Sequence, residues 1–108
     1  MIRGEIWTVA GGVYASKPRP ALIVQDDRFD ATESVTVVPL TTTAVDAPLL
    51  RVPLRSTSTS GIRSDSQIMI DKLTTVRRAN IKERVGRISA TQLVEVERAL
   101  MVFLGLAD

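Results

Sequence analysis

Ser89-Ala90-Thr91-Gln92-Leu93-Val94-Glu95-Val96-Glu97-Arg98-Ala99-Leu100-Met101-Val102-Phe103-Leu104-Gly105 decides the fold class. It opens with the Ser-x-x-Gln form of a capping box, in which the serine oxygen accepts the Gln92 backbone N–H and the glutamine side chain reaches back to Ser89. Leu93, Val96, Leu100, Phe103 and Leu104 then recur at three- and four-residue spacing, with Glu95, Glu97 and Arg98 between them. That spacing predicts one amphipathic helix, ended by Gly105. Its apolar face reads as core or dimer packing rather than a ligand box.

Upstream of this helix the periodicity changes. Ile6–Val9 is a short strand candidate, and the Gly/Pro-rich stretch Ala10–Pro18 reads as a flexible loop. Ala21–Gln25 is a continuous apolar run, suited to a central strand covered on both faces. Val35–Thr41 is dense in β-branched residues, with Pro39 placing that end at an edge or bulge. Thr42–Pro48 reads as a polar turn. Leu49–Leu54 is a fourth strand with Pro53 demoting its end to an edge, Ser56–Gly61 a loop, and Ser66–Asp71 and Lys82–Ile88 the last strand candidates. Trp7, inside an apolar strand, reads as core. With no repeat and no linker, the expected architecture is one α+β domain over residues 1–108. It would be a small curved sheet or partly open barrel with the helix packed against it.

Composition removes several chemistries. The 108 residues contain no cysteine, which excludes disulfides and thiolate zinc sites, and no histidine, which excludes Ser-His-Asp and paired-histidine catalysis within one chain. The net charge is only +2, but eleven of the fourteen cations are arginine, whose planar bidentate geometry suits phosphate. A chain this short and 44% apolar often covers surface by self-association. No run approaches membrane-spanning length, so a cytoplasmic protein without membrane contact is expected.

Four ordered segments resemble the MazF/PemK toxin family. They are Arg3-Gly4-Glu5-Ile6-Trp7, Arg19-Pro20-Ala21-Leu22-Ile23-Val24, Val35-Thr36-Val37-Val38-Pro39-Leu40-Thr41, and Asp65-Ser66 through Asp71 leading to Val85-Gly86-Arg87-Ile88-Ser89. The resemblance implies an SH3-like, partly open barrel of five to seven short, mostly antiparallel strands with a C-terminal helix. It implies a type II toxin–antitoxin endoribonuclease that cuts single-stranded RNA without metal or cofactor, by attack of a ribose 2′-hydroxyl. The products would carry 2′,3′-cyclic or 3′-phosphate and 5′-hydroxyl ends. A homodimer with RNA in a groove at its interface, and a cognate antitoxin, are the implied partners.

Residue by residue, Arg19 matches the family's catalytic arginine, and a permanently charged guanidinium suits charge developing on phosphate. Thr41 matches the threonine closing the third strand, with Thr42 and Thr43 leaving its register open by one residue. Asp71 resembles a family aspartate and is the carboxylate candidate for accepting a proton. Lys72, where many relatives carry glutamine, either contacts phosphate or pairs with Asp71. Lys17, Thr42, Arg77 and Arg78 are candidates for RNA contact, and Tyr14 for stacking on a base. Two other functions stay open: a CcdB-like DNA gyrase poison on the same fold, and a non-catalytic antitoxin- or DNA-binding module. The absence of tryptophan from the last five residues speaks against the first, and the pairing of Arg19 with Thr41 against the second.

Overall fold

Val35, Thr36, Val37 and Val38 put four β-branched residues in a row, and the strand they favour, β3 (Ser34–Thr41), is the hub of the structure. The computed structural model describes residues 1–11 and 15–108. Around β3 lie β1 (Glu5–Gly11), β2 (Ala15–Ile23), β4 (Arg51–Leu54), β5 (Ser66–Met69), β6 (Thr74–Arg77) and β7 (Ile81–Arg87), followed by α1 (Ala90–Phe103). Every pairing is antiparallel, in the order β4-β5-β3-β2-β1-β7, with β6 also on β3. β4 and β7 end the sheet without meeting, so the α+β, partly open barrel expected from the sequence is the observed fold.

The central strands are covered on both faces. Ile6, Leu22, Val38, Leu40, Ile68 and Val96 belong to one buried cluster, against which Leu93, Ala99 and Leu100 of α1 pack. Val9, Ala21, Ile23, Val35, Val37 and Val76 form a second cluster, with Trp7 and Ile81 at its margin. This two-sided burial is why residues 21–24 carry no polar alternation. The Ser89 capping box forms as expected, both hydrogen bonds included. Arg3 fastens α1 to the rest through Glu97 at 2.6 Å. The helix face is used only as far as Leu100: Val96 is fully buried, whereas Phe103 and Leu104 are 44% and 50% exposed. Among the described residues no helix is long and apolar enough to cross a membrane.

Three expectations need correction. Of the loop expected over Ala10–Pro18, the described residues are strand, since β1 runs to Gly11 and β2 starts at Ala15, and residues 12–14 lie outside the described ones. Pro18 and Pro20 are tolerated there because β3 joins β2 only from Ala21, so missing N–H groups on that side break no ladder. Pro39 is neither at a sheet edge nor exposed: it is buried where β3 passes from pairing β6, up to Val37, to pairing β5, from Leu40. Thr74–Arg77, unassigned in the sequence, is β6.

Candidate active site

Arg19 is exposed on β2, two residues before that strand meets β3. Ala21 pairs with Pro39, and extending this antiparallel register by two residues sets Thr41, the last residue of β3, opposite Arg19. The 3-10 turn Ile70–Lys72 follows β5 and brings Lys72 to the same place. Arg19, Thr41 and Lys72 line one open depression of about 450 Å³, with Pro39, Leu40, Met69 and the β6 residues Thr74, Thr75 and Val76 as its remaining walls.

The threonine is held in a defined pose. Its Oγ1 accepts the Thr43 backbone N–H at 3.1 Å, leaving the hydroxyl hydrogen free to be donated. The chain beyond is clamped by Gln67, whose register partner is Thr41: its Oε1 accepts from Val45 N–H and its Nε2 donates to the Val45 carbonyl, both at 3.1 Å. Thr41 faces the depression with Arg19, while Thr42 lines a neighbouring one.

Asp71 has a different environment from the one its sequence neighbours suggest. Its carboxylate pairs with Arg51 of β4 rather than with Lys72, in a largely buried salt bridge, and it does not line the Arg19 depression. Among the described residues Arg19 and Lys72 take part in no salt bridge, whereas Arg3, Arg28, Arg51 and Arg84 each face a carboxylate.

The remaining candidates are spread out. Lys17 lies with Thr42 in the second depression, of about 770 Å³. Arg77 is exposed at the end of β6 opposite Ser34, outside both. Arg78 is used structurally, donating to the Thr32 carbonyl at 2.7 Å. Tyr14 lies outside the described residues. Trp7 is half-buried and donates its indole N–H to Glu5 at 3.1 Å. Burial works against the charged Glu5 carboxyl, but hydrogen bonds from Arg84, Trp7 and the Ile2 backbone outweigh it and hold its pKa below the usual value. Sequence reasoning missed Met69, Thr74 and Thr75 as walls of the site and Arg51 as the partner of Asp71. The β-branched triplet Thr74-Thr75-Val76 was the available signal for the first.

Solved structures share this architecture. An endoribonuclease in complex with its cognate antitoxin from Mycobacterial species superposes with a TM-score of 0.82 at 23% identity, over 100% of this chain and 98% of that one. A chain of MazE–MazF from Deinococcus radiodurans gives 0.81 at 20% identity, over 99% and 97%. The chain therefore has the fold that these solved chains share. The PemK-like, MazF-like toxin family of type II toxin–antitoxin systems matches residues 2–104, and the chain belongs to it. It is 56% identical over 108 residues to the probable endoribonuclease MazF of Mycolicibacterium smegmatis, covering 99% of both chains. It is 33% identical over 116 residues to endoribonuclease MazF9 of Mycobacterium tuberculosis, covering 98% of both. The endoribonuclease toxin expected from the sequence agrees with these relatives.

Proposed function

We propose that this endoribonuclease toxin cleaves single-stranded RNA without a metal ion, with Arg19 and Thr41 acting at the scissile phosphate. The ribose 2′-oxygen attacks phosphorus, the bond to the 5′-oxygen breaks, and that oxygen leaves protonated. The products are a 2′,3′-cyclic phosphate, which water opens to a 3′-phosphate, and a 5′-hydroxyl. Arg19 stabilises the charge that grows on the non-bridging oxygens. Thr41 donates its free hydroxyl hydrogen to the phosphate or orients the attacking 2′-hydroxyl. Lys72 adds a point charge. Asp71, already engaged by Arg51, enters this reading as a positioning residue that holds the turn carrying Lys72.

The observation that carries the reading is the meeting of Arg19, Thr41 and Lys72 in one depression, with no carboxylate of the described residues paired to either cation. The whole of 1–108 is taken as one toxin domain acting in the cytoplasm, with a cognate antitoxin as partner and RNA contacts extending to Lys17, Tyr14, Thr42 and Arg77. A homodimer is supported by the exposed apolar side chains Met101, Val102, Phe103, Leu104 and Leu106 at the C-terminal end of α1, apolar surface of the kind that partners cover.

The test is to incubate the purified chain with a long single-stranded RNA in EDTA and map the new ends. Clustered cuts bearing 5′-hydroxyls are expected. Cutting that stops in EDTA and returns with added divalent metal would overturn the proposed chemistry.

A further inference from the structure

Thr41 ends β3, and the chain that leaves it is held by very little. Residues 42–46 are all exposed, so packing anchors them weakly. Apart from the Thr43 N–H that Thr41 itself accepts, the hydrogen bonds that tie residues 42–46 to another element, among the described residues, are the two from the Gln67 side chain to Val45. Gln67 is a firm base for them. It lies on β5 between β3 and β4, opposite Thr41 on one side and Pro53 on the other, and is half-buried. Its primary amide offers an acceptor and a donor side by side, and so presents to Val45 what a peptide group of a neighbouring strand would. One orientation alone satisfies both Val45 groups, because a flipped amide would set its NH2 against the N–H and its oxygen against the carbonyl.

The segment held in this way is the one that sets the Thr41 hydroxyl. Thr41 Oγ1 accepts the Thr43 N–H at 3.1 Å, and Val45, two residues on, is the point that Gln67 pins. With Val45 fixed, Thr43 N–H stays on one lone pair of Oγ1, and the hydroxyl hydrogen is left for a ligand in the depression that Thr41 shares with Arg19 and Lys72. With Val45 released, residues 42–46 move as exposed chain, the Thr43 bond is lost, and the hydroxyl turns among its staggered positions. Gln67 lines neither depression, so its influence on a bound phosphate passes through Thr41.

We infer that Gln67 is a positioning residue for cleavage: by clamping Val45 it holds the Thr41 hydroxyl in the pose that serves the scissile phosphate. The inference rests on the cleavage reading above, in which Thr41 acts at that phosphate. A group that must meet a reacting atom loses rate steeply when its geometry loosens, even though no contact to the substrate has been removed.

The experiment measures kcat and KM in EDTA on a short single-stranded RNA carrying a site mapped with the wild-type chain. It compares wild type, Gln67→Met, Gln67→Asn, Thr41→Val and the double variant Thr41→Val/Gln67→Met. Methionine keeps the length of the side chain without its amide, and asparagine keeps the amide but falls one carbon short, so either variant carries the test if the other fails to fold, as read from urea midpoints. The expected result for both Gln67 variants is a kcat about tenfold or more below wild type, with KM within about twofold, since Arg19 and Lys72 keep their hold on the phosphate. In the Thr41→Val background the Gln67→Met change should cost nothing further, because the hydroxyl it positions is gone. An unchanged kcat in the Gln67 variants, a loss confined to KM, or a loss that multiplies in full with that of Thr41→Val would overturn the inference alone. A Thr41→Val variant as active as wild type, or no cutting by the wild-type chain, would overturn the cleavage reading and this inference with it.

Discussion

Two sets of cations in this protein have opposite surroundings. Arg3 ties the N-terminus to α1 through Glu97 and also donates to the Val24 carbonyl, Arg84 ties β7 to β1 through Glu5, and Arg51 ties β4 to the turn after β5 through Asp71. Each joins elements distant in sequence, and each has its charge answered by a carboxylate. Arg19, Lys72 and Arg63 lie where β2, β3 and the turns beside them open to solvent, and no carboxylate of the described residues answers them. An arginine already neutralised offers little to a phosphate, while an unanswered one keeps its full attraction. Among these cations, pairing thus separates those that hold the fold from those available to a polyanion, a distinction that composition cannot make.

The largest effect expected from this contrast belongs to Arg19. Arg19→Ala should lower cleavage about 100- to 1000-fold, the loss typical of one group that stabilises transition-state charge, with the urea unfolding midpoint unchanged. Asp71→Asn should behave in the opposite way. A largely buried guanidinium left without its counter-charge should cost about 2 kcal/mol of stability, read from urea midpoints, with only a modest loss of cleavage through Lys72. If Asp71→Asn removed cleavage as completely as Arg19→Ala while leaving stability intact, the division would fail and Asp71 would belong to the chemistry itself.

The sequence carried this contrast unevenly. The helix was legible because its signals are local: Ser89 and Gln92 sit three residues apart and form their capping box within one turn. The two-faced strand at residues 21–24 was legible because burial on both sides leaves no polar residue in the run. β2 was misjudged in its first half, where Pro18 and Pro20 look like loop residues until the point of β3's arrival is known. Arg19 and Thr41 were visible through the family resemblance, but their meeting depends on the Ala21–Pro39 register, which no local pattern encodes. The Arg51–Asp71 pair spans twenty residues, so the adjacent Lys72 looked the more natural partner. Long-range pairing of charges is a property of topology, and it was the topology that sorted scaffold from site.

The smallest effect should come from Arg84–Glu5, whose arginine is half exposed, and there the sign of the pH dependence is diagnostic. Glu5 has its folded carboxyl held below the ordinary value of 4.5, because the hydrogen bonds from Arg84, Trp7 and Ile2 outweigh its burial. Such a group binds its proton more readily unfolded than folded, so its stabilisation is present above the unfolded value and is lost as pH falls through the lower, folded one. Glu5→Gln should therefore cost less than about 1 kcal/mol near neutral pH, since the Arg84 partner is half exposed and solvent screens it. The gap between variant and wild type should narrow as the pH is lowered below the ordinary carboxylate value, in urea titrations at matched ionic strength. A gap of the same size at both ends would mean that Glu5 acts through packing and neutral hydrogen bonds, and Arg84 would then join the unanswered cations of the second depression rather than the scaffold.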